Sequence, residues 1–134
     1  MFFWRGKVKQ VDGLSPTTFV GPAPRRYGEV RARLYVNLSP KAPSGYPVGM
    51  FVIWRPTSSG GLDEAAIDAL FDAVDPLAST MTSYWFDDGS GVARLALAAW
   101  LTRRRGFTRD DALRIAAPRS RLLTDAARAR WFGS

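Results

Sequence analysis

Residues Val92 to Leu101 restrict the fold more than any other segment, because at helical period they are apolar on every side except at Arg94. A helix with no polar stripe must be enclosed by other elements, so this one is expected at the centre of a domain, packed on several sides. Its longest unbroken apolar run, Leu95 to Leu101, is seven residues. A bilayer crossing takes roughly 20, so no membrane span is expected. Arg103-Arg104-Arg105-Gly106 follows, with cations at the negative end of a helix and a glycine just past it, which reads as a stop.

The segments available to enclose that helix change character at Leu62. Upstream they are strand-like. Phe2 to Val11 alternates loosely up to the turn pair Asp12-Gly13, and Thr17 to Val20 is a short strand closed by Gly21-Pro22-Ala23-Pro24. Val30, Ala32, Leu34, Val36 and Leu38 alternate with Arg31, Arg33, Tyr35 and Asn37, which predicts a half-buried strand. Met50 to Trp54 reads as a fully buried strand, stopped by Arg55-Pro56-Thr57-Ser58-Ser59-Gly60-Gly61. Downstream, Ile67, Leu70, Phe71 and Val74 share a helical face, and Pro76 marks that helix's expected end. Met81 to Phe86 looks like a further strand, Thr108 is placed to cap a helix over 109–117, and Thr124 or Asp125 opens a last helix carrying Trp131 and Phe132. Trp54 and Trp100 are expected in the core. Strands alternating with helices predict an α/β fold, with a small, mainly parallel central sheet flanked by helices, and residues 1–134 are read as one domain.

Composition removes several chemistries. The 134 residues include no Cys and no His, which excludes a thiol nucleophile, a disulfide, a zinc site of Cys and His ligands, and any Ser-His or Cys-His pair. No cofactor and no metal is expected. The opening Met1-Phe2-Phe3-Trp4-Arg5-Gly6-Lys7 turns charged too early for a secretory signal, and a cytoplasmic location is the expectation. The net charge of +7 falls in blocks: 9 basic and 2 acidic residues over 1–56, 0 and 7 over 57–90, and 10 and 3 over 91–134. Two basic blocks rich in arginine suit phosphate, so nucleic acid is one candidate partner, with Arg103, Arg104 and Arg105 as candidate contacts. A basic helix end follows equally from the dipole alone. Phe2-Phe3-Trp4 with Arg5, Lys7 and Lys9 suits base stacking or, more ordinarily, a strand tucked over a core edge.

The turn in front of the buried helix holds the most specific pattern. A strand, the small residues Gly89-Ser90-Gly91 and a helix N-terminus present several main-chain N–H groups to one anion, and Arg94 sits one turn in, where its fork can close on the same anion. The structural alternative is a salt bridge from Arg94 to Asp87 or Asp88. The stretch from Tyr84 to Ala117 resembles the signature region of the cysteine-dependent dual-specificity phosphatases, whose loop reads His-Cys-x-x-Gly-x-x-Arg and leads into a helix, a glycine and a Ser-x-x-Glu-Ala-Leu helix start. Here the frame is Asp87-Asp88-Gly89-Ser90-Gly91-Val92-Ala93-Arg94, then Leu95 to Leu101, then Gly106-Phe107-Thr108-Arg109-Asp110-Asp111-Ala112-Leu113. Phe19-Val20-Gly21-Pro22-Ala23-Pro24 and Tyr35-Val36-Asn37-Leu38 are similar to the family's early strands.

The resemblance implies that fold, with residues 88–94 as the phosphate-binding loop, Gly91 and Arg94 matching the loop glycine and the phosphate-binding arginine. It also exposes two departures. Asp88 stands where the family has its nucleophilic cysteine, and Asp87 where it has histidine. The loop that should supply the general acid, Pro56 to Gly61, holds no carboxylate, and Asp63 falls late enough to be a helix-start residue. The expectation is a phosphatase-like domain without catalysis that binds a protein, phosphoproteins included. A carboxylate at Asp88 competes with phosphate for one small loop, a cost on the order of several kcal/mol, so weakened phosphate binding is expected. Three other readings stand: a nucleic-acid-binding module, phosphoryl transfer by Asp88 with a divalent cation, and an engineered replacement of Cys by Asp in an active enzyme.

Overall fold

The computed structural model describes residues 9–11, 14, 17–20, 33–39, 49–57, 62–79, 83–87 and 92–133. In chain order these form β1 (Lys9–Val11), β2 (Thr17–Val20), β3 (Leu34–Asn37), β4 (Phe51–Trp54), α1 (Glu64–Ala78), β5 (Ser83–Asp87), α2 (Val92–Arg104), α3 (Arg109–Ala116) and α4 (Asp125–Phe132), with a 3₁₀ turn at Ser120–Leu122. The strands make one sheet in the order β1-β2-β5-β3-β4. β1 runs antiparallel to β2, and the β2–β5, β5–β3 and β3–β4 pairs are parallel. The expected α/β fold with a mainly parallel sheet is what forms.

The buried helix is where its apolar circumference requires. Every residue from Leu95 to Leu101 is at most 3% exposed. Trp100 packs edge-on to Tyr84 at 5.3 Å and against Phe86 at 5.8 Å, which locks α2 onto β5. Burying a side chain of this kind contributes roughly 1.5–3 kcal/mol. α3 reaches α2 through Ala112 and Ala116, both fully buried, and Trp131 docks α4 on the same core.

Two strands exchange the roles expected of them. β3 lies between β5 and β4, so Tyr35 and Asn37, expected on a solvent face, are buried along with the rest of the strand. β4 is an outer strand of the sheet, and its Phe51 and Trp54 are 48% and 36% exposed, so Trp54 is not a core residue. Tyr35 and Asn37 tolerate burial because they bond each other: the Asn37 side-chain amide donates from Nδ2 to the Tyr35 hydroxyl at 2.6 Å, and its Oδ1 accepts from Ser39 N–H at 2.9 Å.

Helix ends follow local chemistry, with two corrections. Asp63, Thr108 and Thr124 cap α1, α3 and α4 by accepting from Ala66, Asp111 and Ala127 N–H. Pro76 does not end α1, which runs on to Ala78. The missing N–H falls in the last turn, and burial of Ala78 and the Ser79 N–H bond to the Asp75 carbonyl hold that turn together. α3 stops at Ala116, one residue early, because Ala117 precedes Pro118 and takes a left-handed φ of 48°. The expected strand over 2–8 and the early part of the strand over 30–38 lie outside the described residues.

Candidate functional site

β5 is the middle strand of the sheet, and α2 starts five residues after its end. In parallel sheets the carboxyl ends of central strands, where loops lead into helix N-termini, are where ligands are held. Residues 88–91, which carry Asp88, Gly89, Ser90 and Gly91, lie outside the described residues. Asp87 is in register with Asn37, and the buried cap beyond β3 closes over that neighbourhood: Arg55 N–H donates to the Asn37 carbonyl at 2.9 Å, and the Thr57 hydroxyl to the Leu38 carbonyl at 2.7 Å. The ends of β3, β4 and β5 are thereby brought to one edge. Asn37 and Thr57, both buried, were not singled out as site residues. Asn37 is the one polar residue inside the run Leu34 to Leu38, whereas Thr57, after Arg55 and Pro56, has no such signal.

Val92 and Ala93 open α2, whose first turn carries no acidic residue. Arg94 extends from this turn to the end of α3 and donates to the Ala116 carbonyl at 2.9 Å. Burial, and then the positive charge of Arg119, hold the Arg94 guanidinium below the ordinary arginine range, though it stays charged at neutral pH. Among the described side chains no carboxylate lies within ion-pairing distance of Arg94. Asp63, the carboxylate nearest the loop expected to hold a general acid, is engaged as the α1 cap at 2.7 Å from Ala66 N.

The arginine run at the end of α2 turns inward. Arg103 pairs with Asp68 and lies over the Phe71 ring, and Arg104 pairs with Asp72 at 3.1 Å and with Asp75. Arg105 stacks over Trp100 at 5.3 Å and reaches the Tyr84 hydroxyl at 3.4 Å. The acidic block of α1 and the basic block of α2 thus meet within the chain.

This architecture has known counterparts. A variant of human DUSP28 has a TM-score of 0.65 to this chain, with 16% identity over 91% of this chain and 88% of that one. The chain has the dual-specificity phosphatase fold. A mouse dual specificity phosphatase, solved with zinc tungstate, is similar at 20% identity over 77% of this chain and 71% of that one, with a TM-score of 0.59. The structure of Tk-PTP in its active form gives 0.60 at 18% identity, covering 84% of each chain. No protein-family model matches the sequence, and no curated protein matches it. Among the described residues no helix is long and apolar enough to cross a membrane.

Proposed function

We propose that this chain is a phosphatase-fold domain without cysteine-dependent catalysis that works by binding a protein, phosphoproteins included. The observation that carries the reading is the combination of this fold with a sequence holding no cysteine. By the sequence resemblance, Asp88 stands where the family has its thiol nucleophile. Thiolate chemistry needs both a sulfur and a protonated carboxyl to serve the leaving oxygen. The first is missing from the sequence, and Asp63 serves as a helix cap.

What supports retained anion recognition is Arg94. It is half-buried, it lies in the first turn of a helix whose dipole favours anions, and Arg119 adds a second positive charge nearby. A guanidinium has several donors, so its bond to Ala116 is compatible with holding an anion as well. Zinc tungstate in the mouse phosphatase structure shows an oxyanion in complex with a protein of this fold. Asp88 weakens rather than removes that affinity in this reading. The nucleic-acid alternative loses support from Arg103 and Arg104, whose charges are matched by Asp68, Asp72 and Asp75.

The test is an amide-resolved NMR titration of the wild-type chain with inorganic phosphate and then a phosphotyrosine peptide, with released phosphate assayed in the same tubes. Saturable shifts at Gly89, Ser90, Gly91 and Arg94 without phosphate release are expected. Silent amides, or turnover, would overturn the proposal.

A further inference from the structure

The exposed large apolar side chains among the described residues, Phe51 and Trp54, both belong to the four-residue strand β4. They flank it on opposite faces, since Phe51 shares a face with Ile53 and Trp54 with Val52. β4 is also one of the two outer strands of the sheet, β1 being the other. Phe51 N–H donates to the Arg33 carbonyl at 2.8 Å and Arg55 N–H to the Asn37 carbonyl at 2.9 Å, so the alternation of a parallel ladder turns the N–H groups of Val52 and Trp54 outward. Among the described residues neither N–H has a partner. The Trp54 carbonyl accepts from the Arg55 guanidinium at 2.9 Å, which places that cation along the same edge. Monomeric proteins blunt such edges with Lys, Pro, bulges or a cover. Here the blunting residues, Arg55 and Pro56, come only after the strand has ended.

We propose that the outer edge of β4 is a docking site for an extended acidic segment of a protein partner, which adds to the sheet beside Val52 and Trp54. Strand addition supplies main-chain affinity, and the rings of Phe51 and Trp54 cover alternate apolar side chains on the two faces of the incoming strand. Charge selects the occupant. β4 and its flanking described residues, 49–57, contain Arg55 and no carboxylate. A second copy docked on this edge about a twofold axis would bring the Arg55 guanidinium that lies along it towards its own twin, which is repulsive. The site is distinct from the loop after β5 and needs no phosphate, so it stands whether or not that loop binds anions.

The test uses the full chain and a fluorescein-labelled eight-residue peptide alternating Asp or Glu with Val or Ile, beside a peptide with Lys in place of each acid. Anisotropy is expected to saturate for the acidic peptide only, with NMR shifts at the Val52 and Trp54 amides. Val52→Pro deletes one outward donor, spares the ladder to β3, and should weaken binding about tenfold. Arg55→Glu should weaken it further, and Trp54→Ser, which removes the ring, adds no charge and leaves the backbone donors in place, should also weaken it and decides the matter if Val52→Pro does not fold. No binding of the acidic peptide, equal binding by the folded variants, or a sedimenting dimer that Trp54→Ser dissociates would each overturn the proposal, the last by giving the edge to a second copy.

Discussion

The guanidinium of Arg94 in the first turn of α2 donates to the main-chain carbonyl of Ala116, the last residue of α3, across 22 positions of sequence. One side chain therefore belongs both to the candidate anion site and to the joint between two helices. Arg94→Ala removes a bond from a charged donor at a half-buried position, and a loss of about 1–2 kcal/mol is expected in urea unfolding. Faster amide exchange should appear at Ala117, whose N–H closes the last turn of α3 on Leu113. Arg94→Lys keeps the charge but not the planar fork, so it should retain part of the phosphate-induced shifts and little of the helix tie. Unchanged stability in Arg94→Ala would show that the bond carries no weight.

Asp75 joins two interactions that differ in what their loss costs. One oxygen accepts from the Trp100 indole N–H at 2.8 Å, and the other pairs with Arg104. Trp100 is 1% exposed, so Asp75→Ala strands a donor at the core, and a loss of roughly 1–3 kcal/mol is expected. Asp75→Asn keeps an acceptor for the indole and should restore most of that loss. Asp68 is 52% exposed, and Asp68→Ala should cost no more than about 0.5 kcal/mol despite its pairing with Arg103. Equal effects of the two alanine variants in thermal or urea melts would contradict this ranking.

Much of this architecture is legible in the residue pattern, and the failures have a common cause. The apolar circumference of 92–101 and the face formed by Ile67, Leu70, Phe71 and Val74 are intrahelical signals, so they identify α2 and α1 without knowledge of their neighbours. The caps Asp63, Thr108 and Thr124 are equally local. Position within the sheet is not local. Tyr35 and Asn37 alternate with apolar residues as an exposed face would, yet they are buried because β4 and β5 pair on either side of β3 and their polar groups satisfy each other. Phe51 to Trp54 is apolar throughout, yet forms the edge. The glycine and arginine spacing of the loop is visible in the sequence, whereas the Ala116 carbonyl that receives Arg94 is a main-chain group with no residue-type signature. The inward turn of Arg103 and Arg104 was equally hidden, since it depends on where α1 packs.

Tyr84 gives a pH dependence of definite sign. Burial raises its hydroxyl above the ordinary tyrosine range, while the Arg105 charge and the Thr18 hydroxyl partly oppose the rise. A group whose folded pKa is raised binds its proton longer in the native state. Its contribution to stability is complete below the unfolded tyrosine pKa, near 10, and is lost as pH climbs through the folded value. Melting temperature should therefore decline on the alkaline side of that point. In Arg105→Ala the opposing charge is gone, so the slowest tyrosinate absorbance transition should move to still higher pH. A move to lower pH would show that Arg105 acts on Tyr84 chiefly by packing over Trp100.

Asp88 carries the last prediction, because it separates a reader of phosphate from an enzyme. If its carboxylate competes for the loop amides, Asp88→Asn removes the competitor, and inorganic phosphate should bind about tenfold more tightly at low ionic strength, the gain shrinking as salt screens the charge. Asp88→Cys should gain affinity for phosphate analogues yet release no phosphate from a generic aryl ester at a useful rate, since a thiolate alone leaves the departing oxygen without a proton. The wild-type chain should stay silent in the same assay with Mg²⁺ present. Metal-dependent release that Asp88→Asn abolishes would make Asp88 a nucleophile in a metal-assisted transfer, and the protein-binding proposal for this loop would then fall.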